Sequence, residues 1–408
     1  MRHELKILRL GARGDGIAET ADGLVYTPYV LPGELISVEI DQGRGRGTKI
    51  LTPSPDRIRP VCPHFGRCGG CALQHWAEGP YGEFKREIIV QALARRGLDS
   101  HVAQVWRAPL GSRRRVTLAA RRTKSGMLLG YRTRRGHDIV AVESCPIAKP
   151  QIVEALPALR ALLRPLLSRR DEARLAVTST RTGLDLAIEG IGRSGRELAD
   201  IVAQCGSDGG IARLSVNGEI LAQYRPVQVS FAGALVPLPT KGFLQASREA
   251  EGEMVRLITK ALGDVRRVGD LFAGLGTFTL PLARSMEVDA VDCDEHAVAA
   301  LFKGVRAASG LKPVTVAHRD LFRDPLRVGE LAVLDAIVFD PPRAGAKVQA
   351  EELSRSSLKT IIAVSCNPAT FSRDARILVD GGYELECIWP IDQFLFSAHV
   401  ELVAVFRK

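Results

Sequence analysis

No stretch of the 408-residue chain stays apolar for the roughly 20 residues that a membrane-spanning helix needs, which excludes an integral helical membrane protein. The opening, MRHELKILRLGARGDG, is broken by charge every few residues and lacks the apolar centre and cleavage site of a secretory leader. It is expected not to be a signal peptide, and a cytoplasmic location follows. Internal repeats and low-complexity tracts are missing as well, so repeat architectures and biased tails drop out. In a reducing compartment the eight cysteines are poor candidates for structural disulfides and better ones for metal binding or catalysis.

What is present describes a soluble chain of several domains. Apolar residues make up 46% and charged residues 25%, the balance of globular proteins, and the length implies two or three domains. The net charge of +10 is one-sided. Residues 1–150 carry 25 Lys and Arg against 14 Asp and Glu, a balance of +11, whereas the remainder carries 31 against 32. Runs such as SRRRVTLAARRTK (112–124) and YRTRRG (131–136) sit in strand-like segments. An excess this local points to a polyanionic partner, nucleic acid above all.

Residues 1–52 alternate short β-like stretches with glycine-rich turns, the pattern of a small β-barrel. PSPDRIRP (53–60) reads as a linker. YGEFKREIIVQALARRGL (81–98) predicts a helix, with Phe84, Ile88, Ile89, Ala92 and Leu93 at helical spacing and Gly97 after a basic last turn. Mixed strands and helices are expected over 100–240. From about 265, strand–loop–helix units ending in YELECIWP and HVELVAVFRK predict a doubly wound α/β domain with an antiparallel edge.

Within that last third, VRRVGDLFAGLGTFTLPLA (265–283) reads as a strand, a glycine turn and a helix start. Gly274 and Gly276 let the backbone turn tightly and approach a ligand closely. The dinucleotide fingerprint would place a third glycine where Thr279 stands, so NAD is disfavoured. Asp270 before the turn suits a positive amino group. Asp292, ending VDAVD, can accept both hydroxyls of a ribose, and Asp320 in VAHRD can meet an adenine edge. Together they point to S-adenosylmethionine, against the alternative of a structural βαβ unit with incidental acids.

LDAIVFDPPRAG (334–345) sends Asp340 out of a buried strand, and two prolines stop the ladder and stiffen the loop. IIAVSCNPAT (361–370) brings Cys366 to the same carboxyl edge, where open α/β sheets bind ligands. A cysteine so placed is a candidate nucleophile instead of a core residue. Cys205, Cys293 and Cys387 lack such settings and read as packing residues. A thiolate beside a methyl donor is what carbon-5 of a pyrimidine needs, since that carbon attacks only after a nucleophile has added to carbon-6.

DLFAGLGTFTLPLA, FDPPRAG, SCNP and the terminal HVELVAVF together resemble the RNA uracil-carbon-5 methyltransferases, which make 5-methyluridine. The resemblance implies that Cys366 is the nucleophile and Glu401 the base that takes the carbon-5 proton. It also implies that Gln245 in GFLQAS, Phe272, Asp292, Asp320 and Asp340 contact S-adenosylmethionine or orient the uracil. Two positions depart from the family's pattern: Ser247 stands where asparagine is usual, and Asp292 where glutamate is common. The N-terminal GDGIAETADGLVYTPYVLPGE resembles the TRAM domain, a small OB-like barrel that binds RNA.

VCPHFGRCGGCALQH holds Cys62, Cys68 and Cys71 at C-x5-C-x2-C spacing, with paired glycines before Cys71, and VESCPIAKP offers Cys145 as a fourth thiol. Structural zinc favours two close C-x-x-C pairs. Three local cysteines and a distant one suit an iron–sulfur cluster better, with zinc and free thiols as the alternatives. Ribosomal members of the resembled family carry a 4Fe-4S cluster in this arrangement and the tRNA-specific branch typically lacks it, so the resemblance implies ribosomal RNA. His64 and His75 are expected to pack or to face RNA.

The expectation is a multidomain α/β protein. It has a TRAM-like OB barrel over 1–54, a central α+β RNA-binding domain with the cluster over 55–240, and a Rossmann-like, S-adenosylmethionine-dependent methyltransferase domain over 241–408. The 81–98 helix is expected on the last of these. The basic barrel and the arginines of 112–135 would grip phosphates of single-stranded or loop RNA, and the uracil would leave its stack. The alternatives are tRNA as substrate, cytosine-carbon-5 methylation, and a non-catalytic iron–sulfur RNA-binding or redox protein. Neither a membrane nor an obligate protein partner is expected.

Overall fold

In the computed structural model, which describes residues 2–193, 196–204 and 210–408, residues 2–52 form a sheet that closes on itself. Arg2–Lys6 pairs antiparallel with Leu35–Asp41, and its continuation Arg9–Leu10 pairs with Gly16–Thr20 at the far end of the sheet. Ile7 and Leu8 carry the chain across, their N–H groups donating to Glu34 and Ile17. Alternation along the strands puts Leu5, Ile7, Ala18, Val25, Ile36 and Val38 inside. Gly16 belongs to that packing, because a Cβ there would stand 2.3 Å from Val30.

A seven-stranded sheet follows, ordered Ile139–Ala141, Met127–Arg132, Arg115–Arg122, Glu172–Thr180, Gly183–Glu189, Ile211–Val216 and Glu219–Gln223. It buries Leu118, Leu129, Leu175 and Leu186 against Leu159 and Leu163 of the Leu156–Leu166 helix. Cys205 lies outside the described residues.

The third sheet has nine strands. Its path runs Val314–His318, Glu287–Asp292, Arg267–Leu271, Ala336–Phe339, Thr360–Ser365, Glu401–Arg407, Glu384–Asp392, with His101–Val102 and Trp106–Arg107 both pairing with the last. The first five are parallel, and Glu401–Arg407 is antiparallel to its neighbours on both sides. Ala336–Phe339 and Thr360–Ser365 are buried throughout, as central parallel strands covered on both faces must be. The direction of winding reverses between Arg267–Leu271 and Ala336–Phe339, so their carboxyl ends open a crevice.

The helix expected over 81–98 runs Glu78–Ala94. It ends where Gly97 adopts a positive φ of 65° and Leu98 N–H turns back to the carbonyl of Leu93. Its buried face is Tyr81, Lys85, Ile89, Ala92 and Leu93, so a lysine takes a place the apolar pattern assigned to Phe84 and Ile88. The reason is a tertiary partner, Asp392 at the end of Glu384–Asp392. Ile89 and Leu93 pack with Phe371, Leu378 and Phe406 of the third sheet's layer. The ribbon Gln228–Phe231/Ala234–Pro237 precedes residue 241 and yet packs with Ala297 and Leu301. Among the described residues no helix is long and apolar enough to cross a membrane.

Candidate active site

Strand ends and the loops that follow them line a cavity of about 900 Å³ that reaches from the glycine turn to the cysteine-bearing loops. Arg267–Leu271 feeds the turn. Phe272 is held at φ 63°, a strained value for a side-chain-bearing residue, and Gly274 and Gly276 follow at φ 54° and 88°. Gly276 allows a close approach, since a Cβ there would stand 2.4 Å from Leu301. At Gly274 a Cβ would meet nothing within 4 Å, leaving its face open to the cavity.

Asp292 ends its strand on the cavity wall and accepts the N–H groups of Gly274 and Asp294, each at 2.8 Å. A carboxylate retains further lone pairs for a diol. Phe272 tilts against Phe322 at a centroid distance of 5.5 Å, and both line the cavity. Asp320, expected there, does not. Its carboxylate folds onto its own turn, accepting Phe322 N–H at 3.0 Å, and Phe322 takes the wall. Cys293, read as a packing residue, is exposed and lines the cavity beside Asp292. Cys387 is half-buried and lies away from it.

Asp270, expected to face an amino group, sits behind the wall. It is fully buried, accepts from Thr279 Oγ1 through one oxygen and leaves Oδ1 without a partner. Burial pushes it up to about 7, with the Thr279 hydrogen bonds opposing. A carboxyl raised from 3.8 to about 7 holds its proton more tightly in the folded chain. Its stabilising contribution is complete at the acid end of that window and is lost as pH rises through about 7. Asp270→Asn, which keeps an acceptor for Thr279, is therefore expected to raise the melting temperature of the ligand-free protein more at about pH 8 than at about pH 5. Paired thermal scans check the sign.

On the other side of the switch point, Ala336–Phe339 delivers Asp340 and Thr360–Ser365 delivers Cys366. Asn367 caps the Pro368–Asp380 helix by accepting Ala369 N–H, and its Nδ2 donates to the Arg343 carbonyl at 2.9 Å, tying the two loops together. Ser365 pairs with Leu402 across antiparallel strands, so one residue further on Cys366 comes opposite Glu401. Burial, then the charges of Glu401 and Asp340, push the Cys366 thiol up to about 11, while Arg343 opposes them. Burial raises both carboxyls, with the charge of Asp270 adding to it at Asp340 and the charge of Asp340 adding to it at Glu401.

Gln245 donates to Asp340 Oδ2 at 3.1 Å. Its backbone carbonyl accepts Arg114 Nε at 2.9 Å, and Arg114 is ion-paired with Glu251, which seats this loop against the central sheet. Ser247 caps the Arg248–Leu262 helix, accepting Ala250 N–H at 3.0 Å, so its hydroxyl is spent on the fold. Gln393, which the sequence pattern did not single out, donates to both Gln245 and Glu401.

Cys62, Cys68, Cys71 and Cys145 line the far end of the same cavity. They lie near enough that the charge of each of the other three raises Cys71. Gly69 carries the loop over the Arg132 carbonyl, where a Cβ would stand 2.8 Å away; the need is for close approach, since neither Gly69 nor Gly70 takes a positive φ. Among the described residues no group of three or more Cys, His, Asp or Glu stands at the spacing of a single shared metal ion. His75 is buried with neither ring nitrogen partnered, and His64 lines the cavity.

Residues 235–408 match the family model described as tRNA (Uracil-5-)-methyltransferase. An uncharacterised RNA methyltransferase of Brucella suis is 45% identical over 99% of this chain and 98% of its own. The 23S rRNA (uracil(1939)-C(5))-methyltransferase RlmD of Edwardsiella ictaluri is 31% identical over 98% of this chain and 94% of its own. Among solved structures, the Pyrococcus abyssi tRNA (uracil-54, C5)-methyltransferase in complex with S-adenosyl-L-homocysteine is similar with a TM-score of 0.76 and 25% identity, covering 100% of both chains.

Proposed function

The chain belongs to the RNA (uracil-5-)methyltransferase family and is an S-adenosylmethionine-dependent enzyme, and from that premise we propose that it methylates a uridine of ribosomal RNA through a covalent bond from Cys366 to carbon-6. The observation that carries the covalent route is the meeting of Cys366, Glu401 and Asp340 in one cavity, on strands whose register sets thiol and carboxyl opposite each other. Cys366 sulfur adds to carbon-6, and the electron pair of the carbon-5–carbon-6 double bond moves to carbon-5. S-adenosylmethionine, when bound, supplies the electrophilic methyl. Glu401 then takes the carbon-5 proton, the double bond re-forms, and the pair of the carbon–sulfur bond returns to Cys366. Gln245, Phe272, Asp292 and Asp340 hold donor and uracil; Asp320 acts on its loop, with Phe322 on the adenine side.

The fit of the four cysteines supports a 4Fe-4S cluster. All four thiols line one end of the cavity, near enough that the charges of the other three raise Cys71, and such an all-thiolate donor set is what an iron–sulfur cluster takes. Bound there, the cluster would pin the loop whose Ala72 and Leu73 N–H groups donate to the Phe396 carbonyl. Cys71→Ser in anaerobically purified protein is expected to lose iron and acid-labile sulfide and to melt at lower temperature. Full iron content would remove Cys71 from the ligand set.

The domain reading is 1–54, a TRAM-like barrel, 55–240 and 241–408, with the Glu78–Ala94 helix, the strands His101–Val102 and Trp106–Arg107 and the Gln228–Phe231/Ala234–Pro237 ribbon packing on the last instead of the second. RNA phosphates have a place to bind where the barrel meets the central sheet: Arg67, Arg121, Arg134 and Arg135 line a separate cavity of about 620 Å³ with Tyr29. Asp15 pairs with Arg134 and Arg135, while Arg67 and Arg121 line the same cavity. Arg67→Ala and Arg121→Ala are each expected to lower RNA affinity and reduce the slope of log affinity against log salt by about one, with S-adenosylmethionine binding unchanged. Filter binding across a salt series reads this directly.

Ribosomal RNA is favoured by the cysteine set and by the Edwardsiella relative; the whole-chain likeness to the Pyrococcus enzyme favours tRNA as a second reading. Release of tritium from uracil carbon-5 of unmodified ribosomal RNA, and none from tRNA, is the expected result. The reverse pattern replaces the substrate and leaves the chemistry standing.

A further inference from the structure

Gln393 follows the last residue of Glu384–Asp392, is 3% exposed, and bonds to both halves of the site. Its Oε1 accepts the backbone N–H of Ala246 at 2.8 Å. A backbone amide can only donate, so this bond settles which end of the Gln393 amide is oxygen. Nε2 then points the other way, with donations to Gln245 Oε1 at 2.7 Å and to Glu401 Oε2 at 2.8 Å. Gln245, its own oxygen occupied, presents Nε2 to Asp340. Flipping either amide would set oxygen against oxygen in a buried row, where unsatisfied polar groups cost most. Among the described residues Glu401 Oε2 has no donor but Gln393, and Oε1 has none.

We propose that Gln393 is a positioning residue for proton abstraction: by engaging Glu401 Oε2 it leaves Oε1 as the oxygen that takes the carbon-5 proton, and by engaging Gln245 it sets the Asp340 side of the pocket from the same amide. The proposal rests on Glu401 being the base. In the step concerned the carbon-5–hydrogen bond breaks, the proton goes to Oε1, and its electron pair forms the double bond as the carbon–sulfur pair returns to Cys366. An N–H donor favours the ionised carboxylate, against burial and the neighbouring Asp340, which favour the neutral acid. Around Glu401 stand Asp340 and Arg343 from one loop, Cys366 from the next strand end, and His399 from the loop before it, with Asp270 behind Asp340.

Gln393→Met keeps the volume and removes the amide, while Gln393→Glu keeps an acceptor for Ala246 and removes the paired donors. Both are compared with wild type and with Glu401→Gln on carbon-5-tritiated RNA with S-adenosylmethionine. Tritium release is followed across pH, and RNA–protein adduct that survives detergent is measured. S-adenosylmethionine binding and melting temperature serve as folding controls. The expected result for the Gln393 variants is a roughly tenfold or larger fall in kcat with KM for RNA within about twofold. The acid limb should move up by about one pH unit, and adduct should accumulate as it does in Glu401→Gln. An unmoved acid limb and no adduct in both Gln393 variants, while Glu401→Gln traps adduct, overturns the proposal and leaves Gln393 a packing residue. If Glu401→Gln traps none and Cys366→Ala is fully active, the base assignment fails, and the proposal with it.

Discussion

Cys366→Ala is expected to cut donor-dependent release of tritium from uracil carbon-5 by at least about 10⁴-fold. Carbon-5 is too weak a nucleophile at neutral pH to attack a methyl unaided, and among the described residues no other thiol stands at a strand end facing Glu401. The exposed Cys293 lies beside Asp292, and the four remaining cavity cysteines lie at its far end. Cys366 is only half-buried, so its loss opens no core cavity, and S-adenosylmethionine binding should survive. The pH dependence has a definite sign. With burial, Glu401 and Asp340 holding the thiol up near 11, the thiolate fraction grows with pH, and single-turnover rates should climb across the neutral range. Arg343, and any cation bound in the cavity, work in the opposite direction to the two acids and lower that requirement. Wild-type rates in Cys366→Ala would return the residue to a packing role.

The parts of the site carried by short, self-contained segments were legible in the chain. DPPR and SCNP announce themselves because proline directly after a buried apolar run interrupts the ladder there, and those runs need no partner to be read. The glycine turn is local in the same sense. The residues that were missed depend on partners far away in sequence. Phe322 takes the wall position expected of Asp320, whose carboxylate is engaged by its own turn through Phe322 N–H and by Arg323. Gln393 matters only once Ala246, Gln245 and Glu401 have been brought round it. Barrel closure was legible as strands and turns, but the step by which one interrupted strand pairs at both ends of its sheet was not. Ser247 read as a gap in a contact pattern, and its task proved to be a helix cap. The buried lysine is the clearest case, since helical periodicity counts apolar residues and discards a charge.

That lysine carries the largest expected effect on stability. Lys85 is fully buried on the Glu78–Ala94 helix and pairs with Asp392, while its Nζ also donates to the carbonyls of Phe394 at 3.2 Å and His399 at 2.7 Å. Tyr81 adds its hydroxyl to Asp392 Oδ2 at 2.6 Å. Burial pulls the ammonium down to about 8 even with Asp392 supporting it, so the pair is held at a desolvation cost and its removal as a pair is cheap. Removal of one member is not, because the other charge stays in the core. Lys85→Met is therefore expected to destabilise the protein by about 3–5 kcal/mol, read as a lower urea midpoint. Adding Asp392→Asn should recover part of that loss, since the orphaned charge goes with it. Activity should fall in the single variant by more than stability alone accounts for. The carbonyls that Lys85 gathers belong to the loop running from Gln393 to Glu401, and Phe396 N–H in that loop donates to Tyr81. Additive single and double variants would show that the two charges do not act as a unit. Strong recovery would establish that the two charges act as a unit, joining a helix from the first quarter of the chain to the loop that leads into the Glu401 strand.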